Sequence, residues 1–139
     1  MATFNKFNSF VEAIAEKVHN LGSDTLKVML VLTAPAAANA VKADLTEISA
    51  GNGYTAGGTA ATISSSSQSS GTYKLVLADV VFTASGGSIA NFRYAVLYND
   101  TAANDELIGY WDYGSTVTVA SGETFTVDFD ATNGVLQNV

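Results

Sequence analysis

A chain of 139 residues, 47% of them hydrophobic and 14% charged, is long enough to bury one core unaided, and a single domain over residues 1–139 is expected. The absence of cysteine excludes disulfides, thiol catalysis and thiolate metal sites, while a net charge of −7 without any Lys/Arg cluster argues against a nucleic-acid partner. The charge is lopsided: residues 1–75 carry five acids and five bases, whereas residues 76–139 carry eight acids and only Arg93.

Met1 to Phe10 has no basic run followed by an apolar stretch, so no secretory signal is expected. Phe4, Phe7, Phe10, Val11, Ile14, Val18 and Leu21 recur at steps of one, three and four, which predicts an amphipathic helix over about 4–21 with Phe7, Phe10, Ile14 and Val18 buried. Ser9 and Glu12 have capping-box spacing, Asn5 is an alternative N-cap, and Gly22 is the expected stop. The β module should then run from about residue 25 to 139.

Leu26 to Thr33 reads as a strand with both faces covered, Leu26, Val28, Leu30 and Leu32 on one and Met29 and Val31 on the other. At five residues, the apolar run Val28 to Leu32 is far too short to cross a bilayer, so no membrane is expected. Pro35 ends the strand, and the Ala-rich stretch to Ile48 reads as a short helix or an ordered loop with Val41, Leu45 and Ile48 inward. Gly51 to Gly58 holds four glycines and lacks the Lys-Ser/Thr pair of a phosphate loop, so it reads as a structural loop.

A short strand is expected at Ala60 to Ser64, and the serine run Ser64 to Gly71 reads as a hairpin loop or a polar edge. Strands follow at Tyr73 to Thr83, Phe92 to Asn99, Leu107 to Tyr113, Thr116 to Ala120 and Thr124 to Asp130, separated by turn clusters. The expected fold is mainly β, an antiparallel sandwich or curled sheet with an N-terminal α-helix.

Chemistry-bearing groups are sparse. His19 is the only histidine, which excludes a serine triad and a two-histidine metal site within one chain; a capping role at a helix end is the expectation. Asp128, Asp130 and Asn133 form an oxygen-rich cluster whose spacing misses the EF-hand loop, and Asp100, Asp105 and Glu106 read as a hairpin tip. Asn99-Asp100-Thr101 matches a glycosylation sequon, a pattern common by chance. The aromatic, acid-bearing run Tyr110 to Tyr113 leaves a sugar-binding surface conceivable, with half of its rings in the core. No catalytic residue, cofactor or metal is expected.

The wording of the chain is nonetheless familiar. Asn5-Lys6-Phe7-Asn8-Ser9-Phe10-Val11-Glu12, His19 to Val28, Ala50 to Gly58, Ser69 to Asp79, Phe92 to Thr101, Leu107 to Asp112 and Gly122 to Phe129 together resemble small virion structural proteins of tailed bacteriophages. That resemblance implies a non-enzymatic head decoration, or cement, protein on the surface of the phage head. It implies the major capsid protein as partner, and self-association, most often as a homotrimer. Met29 to Ala38 departs from it, being richer in alanine than such chains usually are. The competing reading is a tail-associated receptor- or carbohydrate-binding module, with a hydrolase last. Candidate interface residues are Phe4, Phe7, Phe10, Tyr54, Tyr110 and Trp111.

Overall fold

The apolar residues at Leu26–Val31 alternate between two covered faces, and that strand organises the molecule. In the computed structural model, which describes residues 2–139, Leu26, Val28 and Leu30 lie in one buried cluster and Met29 and Val31 in another. The strand, β2, sits inside a five-stranded antiparallel sheet. The other strands of the sheet, in chain order, are β1 (Phe4–Lys6), β3 (Thr59–Ala61), β7 (Ile89–Asn99) and β8 (Leu107–Val119), and the spatial order is β1-β8-β7-β2-β3.

Two smaller sheets complete the fold. One has the order β10-β5-β4, formed by β4 (Ile63–Ser69), β5 (Thr72–Leu77) and β10 (Leu136–Asn138); the other pairs β6 (Val80–Thr83) with β9 (Thr124–Val127). Leu75 and Leu77 of β5, Val80 and Phe82 of β6 and Val127 of β9 join Leu97, Ile108 and Trp111 of the large sheet in the main core. The opposite face of the large sheet buries Phe7, Met29, Val31, Tyr94, Val96, Tyr98 and Leu107, with Leu45 packed against them. The protein is therefore mainly β, with antiparallel sheets and one short helix, as the alternating pattern predicts.

The helix is shorter than its stripe suggests. Helix α1 spans Asn8–Ala15, and Phe4–Lys6 is a strand paired with β8, Phe4 opposite Trp111. Pairing there satisfies backbone groups that the edge of β8 would otherwise expose, and the Phe4 ring packs 5.2 Å from that of Trp111. Neither Asn5 nor Ser9 caps the helix: the N-cap is Phe7, which makes no side-chain cap bond. Nor does Gly22 end it. Lys17 takes a left-handed conformation (φ 66°), and the Val18 N–H reaches the Ala13 carbonyl at 2.9 Å, closing the helix in the manner usually served by glycine. The stripe consequently splits. Phe7 and Phe10 are buried in opposite cores, Val18 is half-buried, and Val11 and Ile14 are exposed.

Other boundaries moved for local reasons. β2 stops at Val31, leaving Leu32 exposed. The residues after Pro35 form an ordered loop with a 3-10 turn at Lys42–Asp44 and bridges from Val41 to Glu106 and from Glu47 to Val31. The expected strand Tyr73 to Thr83 is two, because the chain leaves one small sheet for the other at Ala78-Asp79, where the Asp79 carboxylate accepts the Phe129 N–H. Conversely, Leu107 to Val119 is one long strand: it continues through left-handed Gly114 (φ 85°), whose N–H Asp112 accepts, although its pairing with β7 slips there, from Asp112 opposite Tyr94 to Val117 opposite Phe92. The serine run is a strand at the polar edge of its sheet. Irregular pairing between Phe92 and Tyr94 also shifts the alternation of β7, so Phe92 joins Ala95 and Leu97 in the main core while Tyr94, Val96 and Tyr98 face the second.

Candidate functional site

A concavity follows from the early end of α1. A groove of about 770 Å³ runs between the helix and the β10-β5-β4 sheet. Phe10, Val11 and Ile14 form its helical wall, Tyr73 and Leu136 line the sheet side, and His19 and Leu21 lie on the turn that follows the helix. Val11 is 53% exposed and Ile14 36%, so apolar surface remains open at the groove mouth. Lys6 and Lys17, two of only six basic residues in the chain, also line it.

The turn beneath the groove is held by a buried polar network. The Asn99 amide donates to Asp24 Oδ2 at 2.7 Å and contacts His19 Nδ1 at 3.0 Å, while its Oδ1 accepts the N–H groups of Thr101 and Ala102. Asp24 also accepts the Asn20 N–H at 2.8 Å. His19 is buried against Phe10, ring centroids 5.4 Å apart. Burial lowers its pKa from the ordinary imidazole value, with Glu106 and Asp24 opposing the shift. His19 is thus beyond the helix rather than in its last turn, and it anchors a loop instead of capping carbonyls. Asn99 of the sequon is fully buried with its amide engaged, which leaves no accessible acceptor in the folded chain.

The glycine loop encloses a carboxylate of its own chain. Glu47 Oε2 accepts the Tyr54 hydroxyl and the Gly57 N–H, Tyr54 in turn accepts the Leu30 N–H at 3.1 Å, and Tyr98 donates to the Gly57 carbonyl at 2.5 Å. Gly58 (φ 81°) lies so close to β2 that a Cβ would overlap the Val28 carbonyl, so the position admits only glycine. Sequence reasoning named Tyr54 but not Glu47. The missed signal is a lone acid ten residues before Gly57, facing a segment with no cation of its own.

The six aromatic candidates do not converge. Phe7, Phe10, Tyr54 and Trp111 are buried within the chain, and Phe4 and Tyr110 are half-buried. Trp111 lies between Phe4 and Phe129, at 5.2 and 5.3 Å. A second hollow of about 480 Å³ includes Trp111, Asp112, Tyr113 and Asp128. Its carboxylates differ. Asp112 is held below the usual carboxylate range by hydrogen bonds from Arg93 and then Gly114, with Arg93 Nε at 2.8 Å and Nη2 at 3.1 Å. Asp128 is exposed, and its charge, after burial, helps push the Tyr113 phenol up to about 12. Asp130 is engaged locally, accepting the N–H groups of Thr132 and Asn133 and the Asn133 amide. No cluster of three or more acidic or histidine side chains placed to hold a metal occurs among the described residues.

No helix among the described residues is long and apolar enough to cross a membrane. No protein-family model matches the chain, no curated protein matches it, and no solved structure matches it.

Proposed function

We propose that this is a non-enzymatic structural protein of a tailed-phage virion, a head decoration or cement protein that binds the major capsid protein in several copies. The virion assignment rests on the sequence resemblance. One structural observation supports a binding role: the open groove beside α1, where Val11 and Ile14 remain exposed although most large apolar side chains are buried. Exposed apolar surface beside a concavity favours a protein partner, and Lys6 and Lys17 suit a partner segment that carries acids beside its apolar anchors.

A reaction is harder to support from these residues. His19 is buried and neutral by its hydrogen bonding, Asp112 is paired with Arg93, and Asp130 serves its own turn. The tail-module reading calls for aromatic rings open to a sugar. Tyr54 and Trp111 are buried, and Tyr110 and Tyr113 are half-buried.

Osmotic shock of particles with and without the protein tests the reading. Bound protein should raise survival, and Val11→Asp with Ile14→Asp should abolish retention on particles while leaving the melting transition close to wild type. Equal survival, or localisation at a tail tip, rejects the cement role.

A further inference from the structure

The longest outer strand among the described residues carries no charge. β4 is the edge of the β10-β5-β4 sheet, seven residues long, with Ser64, Ser65, Ser67, Gln68 and Ser69 exposed. Alternate residues of an outer strand turn N–H and C=O groups away from the ladder, which makes such an edge a template for another strand. Soluble proteins normally blunt these edges with lysine, proline, an inward charge or a bulge. β4 has none of the first three, and its one register shift lies at its start, between Ile63 and Ser65.

Charge singles out the same place. The chain carries −7 overall, so two copies repel over most of their surfaces, yet no charged residue occurs from Ile48 through Tyr73. The other edges are less suited. β1, β3 and β10 have three residues each, β9 is flanked by Glu123 and Asp128, and β6 follows Asp79. The stretch of β8 beyond its pairing with β1 starts at Asp112 and is interrupted by the left-handed Gly114. Serine side chains are short enough to let two backbones approach and can bond across a strand pair, as Ser65 and Ser67 already do along the strand at 3.2 Å.

We propose that β4 is a self-pairing edge: the β4 strands of two copies lie antiparallel about a twofold axis and join their small sheets into one continuous sheet. Such a contact is isologous and closes on itself, so it yields a pair and not a fibre. Main-chain hydrogen bonds supply the attraction. The contact leaves the helical wall of the groove beside α1 available and does not depend on what the protein docks to.

Sedimentation of the full chain over a range of concentrations tests the pairing. Wild type should reach the mass of a dimer. Ser65→Lys with Ser67→Lys sets like charges opposite each other and should raise the dissociation constant about tenfold or more, whereas the same pair of lysines at exposed Ser115 and Ser121 should leave it unchanged. Because the chain has no cysteine, Ser67→Cys provides a unique thiol that should form an intermolecular disulfide on mild oxidation. That readout holds even where the double lysine variant fails to fold. A monomer at every concentration up to about 1 mM, a trimeric mass, an oligomer indifferent to the β4 lysines, or an oligomer of the Ser67→Cys variant that never cross-links would each overturn the proposal.

Discussion

The amide of Asn99 lies 3.0 Å from Nδ1 of His19, joining the end of β7 to the turn after α1 across 80 positions of sequence. The geometry assigns the imidazole proton. Asn99 Oδ1 accepts two backbone N–H groups, so its Nδ2 must be the donor toward both Asp24 and His19. Nδ1 therefore accepts, and the proton of neutral His19 resides on Nε2, which is buried without a hydrogen-bond partner among the described residues. Asn99→Ala removes all of these bonds, leaving the buried His19 Nδ1 acceptor and the Thr101 and Ala102 N–H groups without their partner. It should cost about 3 kcal/mol, measurable by urea unfolding. A loss below about 0.5 kcal/mol, the scale of an ordinary surface substitution, would show that the network does not hold the turn.

The same proton assignment predicts an acid sensitivity. Protonating His19 would set an N–H against the Asn99 donor, and burial already lowers its pKa, so the folded chain binds fewer protons here than the unfolded chain. The contribution to stability is complete above the ordinary imidazole value of about 6.5 and is lost as pH falls through the folded value. Asp24 and Glu106 oppose the shift and limit its size. Melting temperature should fall between about pH 7.5 and about pH 5, and His19→Gln should flatten that slope. Parallel slopes for the two proteins would place the sensitivity elsewhere.

Where one physical rule acted alone, the sequence was legible. Period-two alternation placed β2 inside a sheet with both faces covered. It misled where two rules competed. Phe4 fits the helical stripe, but the open edge of β8 and the face of Trp111 draw it into a strand. Phe92 fits the alternation of Tyr94, but the irregular pairing between them moves it to the other face. Long-range polar partners left no local trace: nothing near Glu47 announces that the glycine loop will fold around it, nor anything near His19 that Asn99 will meet it. The groove was illegible for the same reason, since it exists because α1 stops at Ala15 with Ile14 still facing water.

That split stripe gives a paired prediction. Phe10 is 7% exposed and packs in the main core, so Phe10→Ala should cost about 3–5 kcal/mol. Ile14 is 36% exposed on the groove wall, and Ile14→Ala should cost less, about 1–2 kcal/mol, because more than a third of its surface stays in water. Denaturant midpoints of the two variants, compared at one protein concentration, decide it. Equal losses would mean that Ile14 is covered in solution, as by a second copy.

Glu47 should carry more of the stability of the glycine loop than its one ion pair suggests. Its contact with Lys42 is 3.9 Å long and partly exposed, and such pairs contribute little. The hydrogen bonds from Tyr54 and Gly57 are the stronger tie, because a carboxylate accepts them in a half-buried setting and both donors would otherwise face protein. Tyr54 is committed to its proton: burial, then the bond to Glu47, raise its pKa far above the ordinary phenol value, so the arrangement should persist through mildly alkaline pH. Glu47→Ala should cost about 2–3 kcal/mol and Lys42→Ala under about 0.5 kcal/mol. Hydrogen exchange adds a local reading, since the Gly57 and Leu30 amides should lose protection in Glu47→Ala well before the amides of β7. If Glu47→Ala is no more costly than Lys42→Ala and leaves the Gly57 amide protected, backbone geometry at Gly58 and its contact with β2 hold the loop without the carboxylate.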